Sequence, residues 1–206
     1  MRIAITIRYS AQEKRYYVAK EFRKMADELN ITLIPILSLK DVAEIEPLCD
    51  ALLVPGSVID IDPKYYGQQK HPATFLDDFD VFELDQAAIK FFHEKGKKIM
   101  GVCAGLQGLN VAFGGSLYQD IKGHSETDHE ISLRKDSFLY SHYQSDVITV
   151  NSLHHQGLDR IADIFRITAL SPDGNVEAVE AENILGIQWH PEVMEDYDIF
   201  KDFFES

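Results

Sequence analysis

A cysteine between two glycines is the first feature of the sequence that could carry out chemistry. Cys103 follows the apolar run 99–102 and is flanked by Gly101 and Gly105, which is the G-x-C-x-G form of a nucleophile elbow with cysteine in place of serine. The elbow turns a strand sharply into a helix, so the neighbours of the cysteine must be small, and the helix N-terminus stabilises a thiolate. On this stretch alone, a buried structural cysteine in an ordinary glycine turn is an equally good interpretation.

A cysteine nucleophile needs a base and a third group that orients the base. His190 and Glu192 stand two positions apart at the end of the apolar run 185–189, and alternation along an extended segment lets both side chains project to the same side. Pro191 between them stiffens the link. Because a parallel sheet brings the carboxyl ends of its strands to one rim, we expect this pair to meet Cys103.

The surrounding pattern predicts the elements that would position these residues. Short β-rich runs alternate with amphipathic stretches in the first half of the chain, which indicates a parallel sheet covered by helices on both faces. The predicted strands there are 1–7, 31–37, 51–54 and 98–102, and the predicted helices are a segment from a Ser10–Glu13 capping box to Asn30, then 41–48, 80–94 and 104–113. Later come short β-like pieces at 131–133 and 147–150, a hairpin of 164–170 and 176–179, a strand at 185–189 and a helix at 196–204.

A turn of small residues, Pro55–Ser57, follows the third predicted strand. In open α/β sheets ligands bind at the carboxyl ends of the strands, and backbone N–H groups of such a turn can point at an anion. A plain strand-to-loop turn explains these residues equally well. The long irregular stretch 65–80 is typical of a lid, a substrate-binding loop or an interface.

The two chemistry-bearing stretches resemble those of the class I glutamine amidotransferase family, with Gly-Val-Cys-Ala-Gly-Leu-Gln at 101–107 and Gly-Ile-Gln-Trp-His-Pro-Glu at 186–192. Further stretches are similar to the γ-glutamyl-γ-aminobutyrate hydrolase branch of that family, the C26 cysteine peptidases. They are Pro-Gly-Ser at 55–57, Asp-Pro at 62–63 with Tyr-Gly at 66–67, Gly-Gly-Ser-Leu-Tyr-Gln-Asp at 114–120, Asn-Ser-Leu-His-His-Gln at 151–156, and Ser-Pro-Asp-Gly-Asn-Val-Glu-Ala-Val at 171–179.

The resemblance implies a fold and an activity. The fold would be a single class I glutamine amidotransferase-like domain over residues 1–206, a three-layer αβα, flavodoxin-like α/β architecture whose mostly parallel sheet has an antiparallel extension. The activity would be cysteine-dependent hydrolysis of a γ-glutamyl amine to glutamate plus amine, through a glutamyl thioester on Cys103 and without a cofactor.

The resemblance also implies a role for each matching residue. Cys103 would be the nucleophile, His190 the general base and then acid, and Glu192 the group that orients the histidine. The backbone would supply the oxyanion hole. Gln107 and the backbone around Ser152 and Leu153 would hold the α-amino and α-carboxylate ends of the glutamyl group. The residues are Gly56, Ser57 and Ala104 for the oxyanion hole, and Gln107, Ser152, Leu153 and His154 for the substrate.

The same residues leave other functions open. A glutaminase subunit of an amidotransferase would release ammonia to a separate synthase, and a related hydrolase would act on a γ-glutamyl conjugate of a nucleotide or cell-surface sugar pathway. A non-catalytic binding protein is disfavoured, because it has no reason to keep Cys103, His190 and Glu192 together. Ala104 stands where relatives often carry a larger side chain, so the space beside it, or the 65–80 loop, could receive the leaving amine.

Composition limits the partners. The chain of 206 residues has a formal charge of −14 and no concentrated patch of Lys and Arg, which argues against binding to nucleic acid backbones. Its two cysteines make a disulfide framework improbable. The run 3–7 is too short for a signal peptide and no apolar run reaches membrane-spanning length, so we expect a cytoplasmic protein that does not bind membranes.

Neither a metal nor a macromolecular substrate is expected. His154, His155 and His190 could suggest a metal site, but tandem histidines at a strand end cannot easily both bind one ion, so no metal is predicted there. The expected partner is a small-molecule γ-glutamyl substrate. A homodimer, and a synthase partner if the protein is an amidotransferase subunit, remain compatible with the sequence.

Overall fold

The computed structural model describes residues 1–10, 12–77 and 79–206 of the chain. The strands are β1 (Arg2–Thr6), β2 (Arg8–Ser10), β3 (Arg15–Tyr17), β4 (Thr32–Ile36), β5 (Ala51–Val54), β6 (Lys98–Val102), β7 (Leu117–Tyr118), β8 (Ser125–Leu133), β9 (Val147–Leu153), β10 (Gly157–Leu158), β11 (Arg166–Leu170), β12 (Val176–Ala181) and β13 (Ile184–Ile187). The α-helices are α1 (Lys20–Glu28), α2 (Asp41–Ile45), α3 (Val81–Glu94), α4 (Ala104–Ala112), α5 (Phe138–Tyr143), α6 (Pro191–Met194) and α7 (Asp198–Glu205).

One sheet joins strands from both ends of the chain, in the order β4-β1-β5-β6-β13-β12-β11-β8-β9. The first five strands are parallel, and the remaining pairs are antiparallel. The parallel strands are apolar runs such as Ala51–Val54, in which every residue is buried, as expected for strands covered by helices on both sides.

The core lies in two layers on opposite faces of this sheet. Ile3 and Leu53 pack with the buried faces of α1 and α7, whereas their neighbours Ala4 and Leu52 pack with α2, α3 and α4. Alternate residues of a strand point to opposite faces, so the sheet is the middle of three layers. The predicted αβα fold, with a mostly parallel sheet and an antiparallel extension, is confirmed.

The first helix begins later than the sequence predicted. The Ser10 hydroxyl does accept the Glu13 N–H at 3.3 Å, but this bond closes the turn between β2 and β3, which pair antiparallel. Tyr9 and Tyr16 lie across this hairpin with ring centroids 5.3 Å apart, and both rings contact Phe79. Aromatic packing between strands therefore overrides the local capping signal, and the predicted helix start was wrong.

Three neighbouring parallel strands end at the same rim of the sheet. Val54 of β5 lies opposite Gly101 of β6, and Ile187 of β13 lies opposite Val102. The Cys103 N–H continues this ladder by donating to the Ile187 carbonyl at 2.8 Å. The elbow and the end of β13 are therefore fixed side by side, as the sequence predicted.

Candidate active site

The cysteine elbow is the junction of β6 and α4. Cys103 has φ 53° and ψ −109°, a strained conformation for a residue with a Cβ, of the kind that clusters at functional sites. A Cβ on Gly101 would lie 2.6 Å from the Gly105 carbonyl group, and a Cβ on Gly105 would overlap the carbonyl oxygen of Val54. Both glycines are therefore required by the close packing of the first turn of α4 on β5 and β6.

His190 and Glu192 follow β13, beside the elbow. The His190 Nδ1 and the Glu192 Oε1 are 2.6 Å apart, and His190 and Cys103 line the same cavity. Burial lowers the pKa of His190, but its interactions with Cys103 and Glu192 outweigh burial and raise it to about 10. A histidine that is protonated at neutral pH is the partner that a thiolate needs.

Asn151 of β9 holds the backbone of His190, a role that sequence reasoning did not assign. Its Oδ1 accepts the His190 N–H at 2.8 Å, and its Nδ2 donates to the His190 carbonyl at 3.1 Å. Two bonds from one side chain fix the chain directly after β13. A single asparagine in a polar stretch gives little signal, because nothing local says which distant backbone it meets.

The turn after β5 lies against both candidate catalytic side chains. A Cβ on Gly56 would lie 2.7 Å from the His190 Cε1 and 3.4 Å from the Cys103 Cβ, so only glycine fits there. Ser57 of the same turn lines the space in front of the cysteine. Ala104 is the first residue of α4, and the first N–H groups of a helix have no acceptor within it. Two sources of backbone N–H groups thus flank Cys103, as an oxyanion hole requires.

Arg8, which sequence reasoning missed, anchors this turn. Its buried guanidinium donates from Nε to the Gly56 carbonyl at 2.8 Å and from Nη2 to the Pro55 carbonyl. It also makes two contacts of 3.0 Å with the buried Asp85 carboxylate of α3. Because N–H and C=O of one peptide unit point in opposite directions, the carbonyls held by Arg8 turn the Gly56 and Ser57 N–H groups away from the guanidinium. A lone arginine after an apolar strand was the available signal.

Two cavities meet at Cys103. Ser57, Val58, Cys103 and Leu153 line both of them. The larger, which we call the Gln107 cavity, has a volume of about 350 Å³ and is further lined by Asp60, Ala104, Gln107, Ser125, His154, His155 and Gln156. The smaller, which we call the Tyr17 cavity, has a volume of about 290 Å³ and is further lined by Arg8, Tyr17, Ala19, Glu21, Phe22, Pro55, Gly56, His190, Glu192 and Val193. A substrate could place its two halves in these cavities, with the reacting bond at the sulfur.

Three of the four predicted substrate-binding residues reach the Gln107 cavity. Gln107, Leu153 and His154 line it. The Ser152 side chain is fully buried and does not, because its hydroxyl donates to the His124 carbonyl at 2.7 Å. The role that the resemblance implied was for the backbone around Ser152, and it stays a prediction.

Gln107 and His154 are tied to each other through one backbone carbonyl. The Gln107 Nε2 donates to the Gln156 carbonyl at 3.1 Å, and the His154 Nδ1 lies 2.9 Å from the same oxygen. Burial lowers the pKa of His154 to about 4, so the ring is neutral at pH 7 and adds no charge to the cavity.

Asp60 and His155 supply ionisable groups to the same cavity, and sequence reasoning assigned neither of them to the site. The His155 Nε2 lies 3.2 Å from both carboxylate oxygens of Asp60, and the Phe75 N–H donates to Asp60 at 2.8 Å. Burial raises the pKa of Asp60. The carboxylate beside this histidine gives the cavity an acidic end.

The 65–80 loop does not line either cavity in its described part. The His71 N–H and the Thr74 hydroxyl both donate to the Gln119 side chain, at 2.9 and 2.8 Å, so the loop lies beside β7. Residue 78 of this stretch is outside the described residues. The space beside Ala104 opens into the Gln107 cavity.

The three histidines considered for a metal do not converge on one point. His155 pairs with Asp60 and His190 with Glu192. His154 instead belongs to a group with His124 and Glu177, in which one ligand atom from each lies within 4.8 Å of the others. In the described part of the chain, no helix is both long enough and apolar enough to cross a membrane.

The parallel sheet, the elbow after β6 and the antiparallel extension together define a class I glutamine amidotransferase-like fold. A glutamine amidotransferase of known structure from Thermotoga maritima matches it with a TM-score of 0.67, over 99% of this chain and 84% of that chain, at 15% sequence identity. Within this class the chain belongs to the Peptidase C26 family, which matches residues 4–192.

Named relatives agree with this membership. The protein NtpR of Enterococcus hirae is 35% identical over 188 residues, which cover 82% of this chain and 77% of that protein. The γ-glutamyl-γ-aminobutyrate hydrolase PuuD of Escherichia coli (strain K12) is 33% identical over 167 residues, which cover 71% of this chain and 65% of that protein. The family and these relatives support a hydrolase of the glutamine amidotransferase-like class.

Proposed function

We propose that the protein hydrolyses a γ-glutamyl amide through a glutamyl thioester on Cys103. The observation that carries the proposal is the row of Cys103, His190 and Glu192 at the point where the two cavities meet. The three side chains lie in the order that nucleophilic catalysis by cysteine requires of a nucleophile, its base and the carboxylate that orients the base.

The proposal assigns a group of this chain to each step of the reaction. The Cys103 thiolate attacks the γ-carbonyl carbon, and the His190 imidazolium gives its proton to the amine nitrogen as the carbon–nitrogen bond breaks. Water then attacks the thioester while His190 takes its proton, and glutamate leaves as the thiolate re-forms. Glu192 keeps the ring oriented and stabilises its protonated form throughout.

The negative charge that develops on the carbonyl oxygen needs backbone donors. We assign this role to the Ala104 N–H and to an N–H of the Gly56–Ser57 turn, which flank Cys103. Loss of one such donor costs about 3 kcal/mol of transition-state stabilisation in enzymes of this type. Arg8 acts through the turn as a positioning residue.

The Gln107 cavity suits the glutamyl half of the substrate. Its Asp60 carboxylate offers a partner for the α-ammonium group of a glutamyl residue, and Gln107 and Leu153 bound the side chain. The glutamyl half of the substrate then binds in the Gln107 cavity, which Ala104 helps to line. The leaving amine binds in the Tyr17 cavity.

The charges of the Tyr17 cavity favour a leaving amine without a carboxylate. Its two cationic groups are already paired, Arg8 with Asp85 and His190 with Glu192. Glu21 also lines it, and its nearest cation is the exposed Lys20 at 3.8 Å. A neutral or cationic amine therefore fits better than one that ends in an anion.

The test is a matched series of γ-glutamyl amides whose leaving groups have one length and three charges: butylamine, 1,4-diaminobutane and γ-aminobutyrate. We expect free glutamate from the neutral and cationic members, with kcat/KM about tenfold above the anionic member, a difference of about 1.4 kcal/mol. Glu21→Gln should narrow that difference. A glutamyl adduct of Cys103 should be visible by mass spectrometry after a rapid quench.

Glutamine is assayed in the same series, because a glutaminase subunit is the alternative. Turnover of glutamine only when a synthase partner is added would replace the hydrolase proposal with that alternative. Turnover that survives Cys103→Ser would contradict both. We also infer that residues 1–206 act as one domain, since β1 and α7, from opposite ends of the chain, pack in one core layer.

A further inference from the structure

A second group of ionisable side chains lies inside the antiparallel extension. His124 precedes β8, His154 follows β9 and Glu177 lies on β12, so three separate segments bring them together. All three are buried, and one ligand atom from each lies within 4.8 Å of the others. His129 of β8 joins them, with its Nε2 3.4 Å from the Glu177 Oε1. His154 also lines the Gln107 cavity, but none of these groups belongs to the row of Cys103, His190 and Glu192.

The centre of the group is a carboxylate without a hydrogen-bond donor. Glu177 is 0% exposed, and neither of its oxygens has a hydrogen-bond partner among the described residues. Its ion-pair neighbours there are imidazole nitrogens, His124 Nδ1 at 3.5 Å and His154 Nε2 at 3.9 Å besides His129. Burying a carboxylate is costly unless a cation or a donor meets it.

Outer hydrogen bonds fix which ring nitrogen carries the proton. The His124 Nε2 lies 3.0 Å from the Asp173 carboxylate, and the His154 Nδ1 lies 2.9 Å from the Gln156 carbonyl oxygen. The Gln156 carbonyl can only accept, so the His154 ring donates through Nδ1. The His124 Nε2 also lies 3.2 Å from the Asn175 amide nitrogen, but that amide donates to the Asp173 carboxylate at 2.9 Å. The His124 Nδ1 lies 3.4 Å from the Ser152 Oγ, a longer contact than the 3.0 Å to the charged Asp173, so the carboxylate favours the proton on Nε2. The His124 Nδ1 and the His154 Nε2 then carry lone pairs, and both face Glu177. Histidines that bind metals have this arrangement, with the outer N–H on a carboxylate or a carbonyl.

One proton can bridge only one pair of these inward-facing acceptors, whereas one metal ion satisfies them all. In a tetrahedral zinc site with ligand bonds of about 2.1 Å, neighbouring ligand atoms are about 3.4 Å apart. Movements of about 1 Å therefore close the present set around an ion. Mixed nitrogen and oxygen ligands select Zn²⁺, Co²⁺ or Ni²⁺ over Mg²⁺ and Ca²⁺, which prefer oxygen alone.

We propose that His124, His154 and Glu177, with His129 as a fourth ligand, bind a divalent transition-metal ion of the zinc class. The ion would tie β8, β9 and β12 together inside the extension. It would also fix His154, and with it one wall of the Gln107 cavity. The site is structural, and the proposal does not depend on the γ-glutamyl hydrolase activity.

Metal analysis of the purified full-length protein tests the proposal. Chelator-treated protein is loaded with Zn²⁺ or Co²⁺, desalted, and its metal counted per chain by mass spectrometry. We expect one retained equivalent, a visible d–d spectrum typical of tetrahedral cobalt, and a higher Tm with Zn²⁺ than with chelator. Loss of all metal on desalting would overturn the proposal.

Three variants separate this site from other ligands in the chain. Glu177→Gln keeps the shape and removes the charge, and should weaken binding at least a hundredfold. His93→Gln removes an exposed histidine, and Cys103→Ser removes the thiolate that would otherwise compete for metal, so both should keep one equivalent. Metal that is lost with Cys103→Ser and kept with Glu177→Gln would place the ion at the elbow instead.

The cobalt spectrum of the wild type tests the proposal even if a variant fails to fold. A thiolate ligand gives cobalt an intense sulfur-to-metal charge-transfer band, which nitrogen and oxygen ligands do not. Its absence from the wild-type cobalt spectrum, together with one tightly held equivalent, supports the histidine–glutamate site. Its presence contradicts the proposal without recourse to any variant.

Discussion

The two halves of the central sheet place their polar groups in opposite ways. In the parallel half, strands such as β5 are apolar on both faces, and the groups that could do chemistry stand at the rim around Cys103 and His190. In the antiparallel extension, polar groups lie inside, where Glu177 is 0% and His124 is 3% exposed. The parallel half positions its site by backbone geometry, and the extension holds its polar interior by contacts between side chains.

The cause of this difference is how each half is covered. Helices lie on both faces of the parallel strands, so those strands have no place for a polar side chain except their ends. β9 alternates exposed and buried positions, as antiparallel strands with one solvated face do, and can carry polar groups along its length. The following predictions test whether chemistry is confined to the rim and which half supports it.

The largest expected effect is the loss of activity in Cys103→Ser. We expect kcat/KM to fall by about 10⁴-fold or more, because a serine hydroxyl is not held as the anion by His190. Cys49→Ser is the matched control, since Cys49 is buried in the core beneath β5 and away from the rim. Equal losses of activity in the two variants would show that the rim is not where the chemistry occurs.

Arg8→Met should destabilise the fold by about 3–5 kcal/mol, because it leaves the buried Asp85 without its partner. The double variant Arg8→Met/Asp85→Leu removes both charges and should recover most of that loss in chemical denaturation. Activity should stay about 10- to 100-fold low in the double variant, since the Pro55–Gly56 carbonyls are no longer held. Full activity in the double variant would show that Arg8 contributes to stability and does not position the turn.

Gly105→Ala should destabilise the fold by about 3 kcal/mol, because its Cβ would overlap the Val54 backbone, which cannot move aside as a flexible side chain can. Gly108→Ala, one turn later in α4, is the matched control. A Cβ there would meet the Phe82 ring at 3.7 Å, an ordinary contact, and alanine favours a helix by up to about 1 kcal/mol. Thermal unfolding should therefore move in opposite directions in the two variants.

The protonation of His190 should depend on the cysteine beside it. Burial lowers the pKa of His190, and the Cys103 charge is the first of the influences that raise it to about 10. Cys103→Ala removes that charge and keeps the burial, so the pKa of His190 should fall by at least one unit. The imidazole of the variant should therefore lose its proton at a lower pH than the imidazole of the wild type. Nuclear magnetic resonance of the imidazole measures this directly, with an apparent pKa that belongs to the pair in the wild type. An unchanged pKa would mean that Glu192 alone sets it.

Much of the parallel half could be predicted because its signals are local. The glycines around Cys103 predict the sharp turn and the close packing of the following helix. The apolar run before His190 predicts a buried strand. Both strand ends then meet at the rim through a general property of parallel sheets. From its residues alone, the turn at Gly56 fits an anion-binding turn and a plain loop equally well. Only the His190 ring, which a Cβ at position 56 would overlap, shows why a glycine is needed there.

The remainder depends on partners that are distant in sequence. Arg8 meets Asp85 across 77 positions, and His155 meets Asp60 across 95. β8 and β9 are both longer than the strands predicted at 131–133 and 147–150. β8 is largely polar, so its own sequence does not predict a strand, and it forms one because it pairs with β9. The same reason hid the group around Glu177, whose members come from three segments.

Asn151→Ala tests the one described side chain of β9 that reaches the rim to hold His190. Losing both bonds to the His190 backbone should lower kcat about tenfold with little change in KM, because the base is misplaced while the cavities remain. Asn183→Ala is the matched control, since Asn183, at the start of β13, bonds the Gly96 carbonyl at 3.2 Å. Both variants should lose about 1 kcal/mol of stability, yet only the rim variant should lose activity. If both kept full activity, the extension would support the fold of the rim without placing its base.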